Sequence, residues 1–166
     1  MAGIEDDDRR QLVRLLRGAY SGELAAAYAY RGHWKSVRRQ AERERIRQIE
    51  DEEWVHRARV GEMLAALSAA PTKIREARMF VTGRVLGFGC HLIGWFLPMY
   101  FAGRLESMNV HEYETAAFHA RRLGLAHFAT DLEEMARVEG EHEIYFRRTV
   151  ACHRCLPLMS KLFGWS

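Results

Sequence analysis

Six residues of types that bind metal ions occur in this chain as two copies of one pattern. In each copy a lone glutamate precedes a Glu-x-x-His sequence by about thirty residues, and the six residues are Glu23, Glu53, His56, Glu106, Glu139 and His142. Helical bundles use four carboxylates and two imidazoles to hold two iron or manganese ions. The recurrence predicts that these residues are metal ligands and catalytic groups, binding two iron ions per chain, with manganese as an alternative, for oxygen chemistry.

The candidate ligands occupy positions that helix packing would normally give to apolar side chains. In the first segment a three-four spacing of apolar residues runs from Leu12 to Val37, and Glu23 lies on the same stripe. Both Glu-x-x-His sequences continue similar stripes, and their i, i+3 spacing brings the two side chains to one helical face. Buried carboxylates without partners are costly, so several of them facing one core are tolerable if cations neutralise them together.

The third segment offers three glutamates for the lone-ligand position. Glu106 lies on a stripe of small and apolar residues between Ala102 and Val110. Glu112 lies six residues later and therefore points about 240° around the helix. Glu106 is the predicted ligand, and Glu112 is the reserve.

A tyrosine follows each lone glutamate by seven residues. Tyr30 follows Glu23, and Tyr113 follows Glu106. Packing in the core with one polar tip explains these tyrosines at least as well as a role in hydrogen bonding to a substrate or in radical transfer. The sequence leaves both interpretations open.

The composition favours a single helical domain. The chain has 166 residues, of which 48% are hydrophobic and three are proline. Alanine, leucine, arginine and glutamate, which are strong helix formers, dominate. We predict an all-α fold, a ferritin-like four-helix bundle. Residues 1–166 form one domain, with residues 1–9 flexible and residues 72–97 forming an extra apolar helical crossover between the two helix pairs.

An apolar stretch lies between the two copies of the pattern. Residues 85–103 contain one histidine and no formal charge, and they are long enough to span a bilayer. Their glycines weaken them as one spanning helix, and Pro98 fits the first turn of the third bundle helix. The apolar side chains over residues 79–103 favour a monotopic membrane contact or a channel for a greasy substrate, with core packing as the plain alternative.

Charge and cysteine usage narrow the expected partners and location. The formal net charge is +3, and the arginine pairs are explained by solvated helix faces, with anionic lipid as an alternative contact. No aromatic residues are interleaved with them in a nucleic-acid-reading pattern, so nucleic acid is not expected. The acidic start has no secretory signal, so we expect a cytoplasmic location, with a peripheral contact to the inner face of the membrane left open. The lone pair Cys152 and Cys155 indicates reduced, non-catalytic thiols rather than a metal or redox site.

Several short motifs are similar to those of a known family. Residues 21–23 and 30–33 are close to its A-G-E and Y-x-G-Q, and residues 105–113 match the register of its V-E-E-S-x-x-H-H-Y without a gap. Similar motifs also occur at residues 53–56, 71–72, 85–88 and 139–143. Over roughly residues 10–150 the chain resembles the demethoxyubiquinone hydroxylase family, the Coq7-like branch of the ferritin-like proteins. This resemblance independently selects Glu106.

The chain departs from the family motifs at several positions, and three of them are Ser107, Glu112 and His33. Ser107 stands in place of the second glutamate of V-E-E, and Glu112 in place of the second histidine before the tyrosine. His33 stands in place of the glutamine after the glycine in helix one. None of the three is among the six predicted ligands, so the departures bear on the substrate and on the tuning of the centre.

The resemblance implies a membrane-associated di-iron monooxygenase that hydroxylates a lipophilic quinone or phenol ring with O₂ and two electrons. It also implies that the six residues are the metal ligands and that at least one carboxylate bridges the irons. The electron donor stays unidentified, and a homo-oligomer stays open. One alternative is a di-iron oxidase, peroxidase or ferroxidase-like protein, although the cysteine pairs of rubrerythrins are absent. Another is a membrane-surface bundle whose metals are only structural.

Overall fold

The protein is an all-α bundle, as the sequence predicts. The computed structural model describes residues 2–166, with side chains described from residue 5 onward. Its helices are α1 Ala2–Ser36, α2 Gln40–Ala66, α3 Lys73–Gly89, α4 Phe96–Arg122, α5 Ala126–Val150 and α6 Leu156–Phe163. A short connection joins α1 to α2 and another joins α4 to α5, so each pair forms an antiparallel hairpin. The two hairpins pack together through α1 and α4. These four long helices form the bundle.

The core consists of two apolar clusters with the predicted ligands between them. One cluster lies around Leu16, Val60 and Leu132, and the other lies around Ile49 and Phe146. On each bundle helix the predicted ligand positions fall between the residues of the two clusters. The bundle therefore has a buried polar layer held between two apolar ones.

The crossover between the hairpins is α3, which packs along α1. A side chain at Gly32 or Gly87 would collide with the opposite helix, and one at Gly83 would collide with the backbone of Ala25. These glycines let α3 approach α1 closely. A turn over residues 90–95 then leads into α4, and Pro98 lies in the first turn of α4, as predicted.

The apolar stretch is divided between two helices and a turn. Phe88 and Phe101 are exposed, whereas Phe96 is buried in the core. Among residues 2–166, no helix has both the length and the apolar character needed to cross a membrane.

Both ends of the chain contain helix. Residues 2–9 belong to α1, and Met1 lies outside the described residues; the flexibility expected of residues 1–9 stays a prediction. Asp8 is buried, and it accepts hydrogen bonds from Arg122 Nε at 2.7 Å and from His119 Nδ1 at 2.8 Å, both on α4. At the other end, α6 was not predicted.

The residues after α6 fold back onto the bundle. The indole of Trp165 lies where a side chain at Gly103 would otherwise stand. The Tyr100 hydroxyl donates a hydrogen bond to the Trp165 carbonyl at 2.9 Å. The C-terminal segment therefore closes one side of α4.

Candidate metal centre

All six predicted ligand residues come together in the middle of the bundle. One group is Glu23, Glu53, His56 and Glu139, and the other is Glu53, Glu106, Glu139 and His142. Within each group, one candidate ligand atom per residue lies within 4.8 Å of the others. None of the six residues is more than 3% exposed. The two groups share Glu53 and Glu139, the glutamates of the two Glu-x-x-His sequences.

The histidine of each copy of the pattern contacts a glutamate of the other copy. His56 Nδ1 hydrogen-bonds Glu139 Oε1 at 2.9 Å, and His142 Nδ1 lies 3.5 Å from Glu53 Oε1. Each imidazole therefore contacts the glutamate of the other Glu-x-x-His sequence. The centre exists only when both hairpins are packed together.

The tyrosines cross in the same way. The Tyr30 hydroxyl donates a hydrogen bond to Glu106, and the Tyr113 hydroxyl donates one to Glu23. Burial raises the pKa of both tyrosines well above the ordinary value, and the nearby carboxylates raise it further. Both phenols therefore stay protonated and hold one oxygen of each lone glutamate.

Several oxygens of the cluster are buried without a hydrogen-bond partner. They are Glu23 Oε2, both side-chain oxygens of Glu53, and Glu139 Oε2, and His142 Nδ1 joins them. Buried acceptors without partners are rare because each loses its hydration without compensation. Carboxylate oxygens with imidazole nitrogens suit iron or manganese, and a cation would satisfy these atoms together. The residues present therefore fit a metal centre.

The carboxyl groups also compete electrostatically. Burial raises the pKa of Glu53 and Glu106 well above the ordinary value, and the charge of Glu139 raises both further. Burial alone would raise the pKa of Glu139 too, but the nearby imidazoles of His142 and His56 hold it well below the ordinary range. Without metal cations to neutralise them, the carboxyl groups of Glu53 and Glu106 therefore hold their protons to a higher pH than usual.

Two polar residues around the centre were missed in the sequence. Glu52 Oε2 hydrogen-bonds His142 Nε2 at 2.6 Å and is itself held by Arg45 at 3.1 Å. This leaves His142 Nδ1 facing the carboxylates, an arrangement that orients imidazole ligands in metal proteins. Asn109 Nδ2 donates a hydrogen bond to Glu106 Oε2 at 3.0 Å. The i, i+3 spacing from Glu106 to Asn109 was available as a signal, whereas the contact of Glu52 with α5 had none.

The remaining candidates lie outside the centre. Glu112, the reserve, is exposed and belongs to neither metal-binding group. Ser107 Oγ donates a hydrogen bond to the Arg104 carbonyl at 2.8 Å. Cys152 and Cys155 have no disulfide partner, and no potential metal-binding group within residues 2–166 includes them.

An apolar groove between α1 and α4 leads to the centre. Its larger cavity, of about 170 Å³, lies under α3 and is lined by Tyr30 and otherwise mostly by aliphatic residues. A smaller cavity of about 60 Å³ touches Glu23 and Tyr113. Ala26 and Leu105 line both cavities, so the two adjoin along the groove.

Comparison with known proteins identifies a family for the larger part of the chain. The family model of ubiquinone biosynthesis protein COQ7 matches residues 10–116, which include Glu23, Glu53, His56 and Glu106. The second Glu-x-x-His sequence lies beyond the match. Searches of curated proteins and of solved structures gave no significant match. Because the match covers well over half of the chain, the chain belongs to the COQ7 family of ubiquinone biosynthesis proteins.

Proposed function

We propose that the protein is a di-iron monooxygenase that hydroxylates a lipophilic quinone or phenol ring with O₂ and two electrons. The observation that carries this proposal is the buried cluster of Glu and His side chains with unsatisfied oxygens, which lies beside an apolar groove. When bound, two iron ions would supply the activation of O₂ that the insertion of oxygen into a ring requires, and manganese is the alternative metal.

The overlap of the two groups suggests how the ligands divide. Glu23 and His56 would hold one ion, and Glu106 and His142 would hold the other. Glu53 and Glu139 belong to both groups and would help to hold both ions. Tyr30 and Tyr113 hold the lone glutamates by hydrogen bonds, as described above. This scheme uses every donor that the sequence pattern predicts.

The groove is the proposed path for a lipophilic ring. The larger cavity would exclude water from the ring because its walls are mostly aliphatic, and the smaller one would bring the ring beside Glu23. Leu86 and Ile93 line the larger cavity and are also exposed at the surface. A greasy substrate can therefore enter without crossing a polar surface, which favours a hydroxylase over a ferroxidase-like protein.

The surface around this cavity is the proposed membrane contact. Val81, Val85, Phe88 and Leu92 are exposed on α3 and the following turn. The charged residues Lys73, Arg75, Arg78 and Arg84 on the same helix are exposed as well, and only Glu76 opposes them there. An apolar face flanked by basic side chains suits peripheral binding to a bilayer.

The direct test is product analysis. The iron-loaded protein, reduced chemically, is incubated with O₂ and a short-chain demethoxyquinone, and the products are analysed by mass spectrometry. We expect a product heavier by one oxygen atom. Oxygen consumption without such a product would reject ring hydroxylation of this substrate and favour the oxidase or peroxidase alternative.

A further inference from the structure

His33 is a buried polar side chain in the wall of the larger apolar cavity, and the metal centre does not use it. It is 3% exposed, and its Nε2 atom has no hydrogen-bond partner among the described residues. Burial lowers the pKa of His33 to about 4, so the imidazole is neutral near pH 7. A neutral imidazole nitrogen that is buried and unpaired is unfavourable unless something else occupies its hydrogen-bonding position.

Two aromatic rings fix the orientation of this imidazole. His33 stacks on Tyr30, with ring centroids 6.3 Å apart and planes 19° apart. It also stacks on Phe146, with centroids 6.2 Å apart and planes 13° apart. Because Tyr30 in turn contacts Glu106, His33 is held one helical turn from a residue that touches the metal centre.

The other polar groups of the cavity wall are already engaged. The Tyr30 hydroxyl donates to Glu106, and the Cys90 thiol donates to the Leu86 carbonyl at 3.3 Å. The rest of the wall is alanine, leucine, isoleucine, proline and phenylalanine. Among the described residues that line the cavity, His33 is therefore the polar side chain left without a hydrogen bond, and Nε2 is its buried unpaired atom.

We propose that His33 Nε2 hydrogen-bonds an oxygen atom on the ring of the lipophilic substrate and thereby selects an oxygenated ring over a hydrocarbon. The inference rests on the proposed function, because it takes this cavity as the substrate site. His33 is then a positioning residue. Sites that hydrogen-bond a substrate oxygen discriminate strongly against analogues that lack it.

The test compares the binding of two probes to the iron-loaded full chain without reductant, so that no turnover occurs. Titration calorimetry in one detergent measures the affinity for decylubiquinone and for decylbenzene. The variant His33→Phe keeps the aromatic stack and removes both nitrogens, and His33→Gln restores a polar group. The same phenylalanine substitution at the exposed His127 is the matched control.

We expect His33→Phe to weaken decylubiquinone binding about tenfold, the net effect of one lost hydrogen bond. Its affinity for decylbenzene should not change, His33→Gln should recover most of the loss, and His127→Phe should bind like the wild type. Unchanged decylubiquinone binding in His33→Phe, or equal weakening for both probes, would overturn the proposal while leaving the hydroxylase function intact. A wild-type protein that binds neither probe would instead reject the groove as the substrate site, and with it both proposals.

Infrared spectroscopy of the bound quinone gives a second reading that does not depend on the variants folding. A hydrogen bond lowers the carbonyl stretching frequency, so the wild-type complex should show a carbonyl band below that of quinone in detergent alone. The band should return toward the free value in His33→Phe. An unshifted band in the wild-type complex would overturn the proposal by itself.

Discussion

The two hairpins of the bundle carry the same ligand pattern but are covered differently. In the centre, each hairpin gives a tyrosine and a histidine to the carboxylates of the other, so the chemistry is close to symmetric. Around the centre, α1 is covered by α3, which leaves an apolar cavity, whereas one side of α4 is closed by Trp165. We propose that the symmetric contacts hold the metal ions and that the asymmetric covering decides where a substrate can approach them.

The family match also treats the two hairpins differently, because it covers mainly the first one and the crossover. Residues 10–116 contain the first hairpin, the crossover and most of α4, but not the second Glu-x-x-His sequence. The contacts of His56 with Glu139 and of His142 with Glu53 connect the unmatched part to the matched one. The second hairpin is thus assigned to the same centre by geometry rather than by the family model.

The largest effect is expected from a carboxylate that both halves share. Replacing Glu139 by alanine removes a donor from both groups, so iron content should fall from about two ions per chain to less than one, and turnover should be lost. Metal analysis and the hydroxylation assay check this. The matched control is Glu141→Ala, because Glu141 is exposed and pairs only with Arg137. Full activity in Glu139→Ala would contradict the ligand assignment.

A smaller effect should come from the contact of Glu52 with His142, which has no counterpart at His56 among the described residues. Glu52 orients His142, so Glu52→Gln should weaken the binding of one iron ion by roughly ten- to a hundredfold while the other stays bound. Competition with a chelator, followed by metal analysis, measures the two affinities. Equal weakening of both ions would show that Glu52 does not act through His142 alone.

Removing the metal should make stability depend on pH. Burial raises the pKa of Glu53 and Glu106 well above 4.5, so the folded protein keeps protons that the unfolded chain releases. The free energy of unfolding of the metal-free protein should therefore fall as the pH rises from about 6.5 to about 8, above the range in which the lowered pKa of His33 has the opposite effect. Glu139 does not offset this fall, because its lowered pKa contributes stability that is lost only at more acidic pH.

Bound cations replace these protons, so the iron-loaded protein should show a much weaker dependence over the same range. Urea unfolding at several pH values, with and without a chelator, makes the comparison. Parallel curves for the two forms would mean that the buried carboxyl groups are not neutralised by the metal.

The smallest effect should come from a change in the packing of α3 on α1. An added methyl at Gly87 meets the Tyr28 carbonyl at 2.7 Å, so Gly87→Ala should push α3 away and cost about 1–3 kcal/mol of stability. Quinone binding should weaken as the cavity opens, whereas iron content should not change. The control is Gly89→Ala, since nothing lies within 4 Å of a methyl there. Loss of iron in Gly87→Ala would mean that α3 supports the centre as well as the cavity.

The sequence predicts which six side chains come together better than it predicts the residues around them. The six ligand positions and the helical bundle follow from a repeated spacing on apolar stripes, which is local information. Asp8 with Arg122, Glu52 with His142, and Trp165 over Gly103 join residues far apart in the chain. Such contacts depend on how helices pack, and periodicity does not encode them.

The apolar stretch over residues 85–103 is a second case in which the sequence shows local features but not how the helices pack. Residues 85–103 read as one apolar stretch, and their glycines already argued against a single spanning helix. The close approach of Gly87 to α1, and the cavity left beside it, became visible only when α3 was placed in three dimensions.

The central claim is that both hairpins hold two metal ions between them. Anomalous X-ray diffraction at the iron edge, from crystals grown with iron, tests it most directly. We predict two peaks, one among Glu23, Glu53, His56 and Glu139 and the other among Glu53, Glu106, Glu139 and His142. A single peak, or iron bound only outside this cluster, would contradict the account.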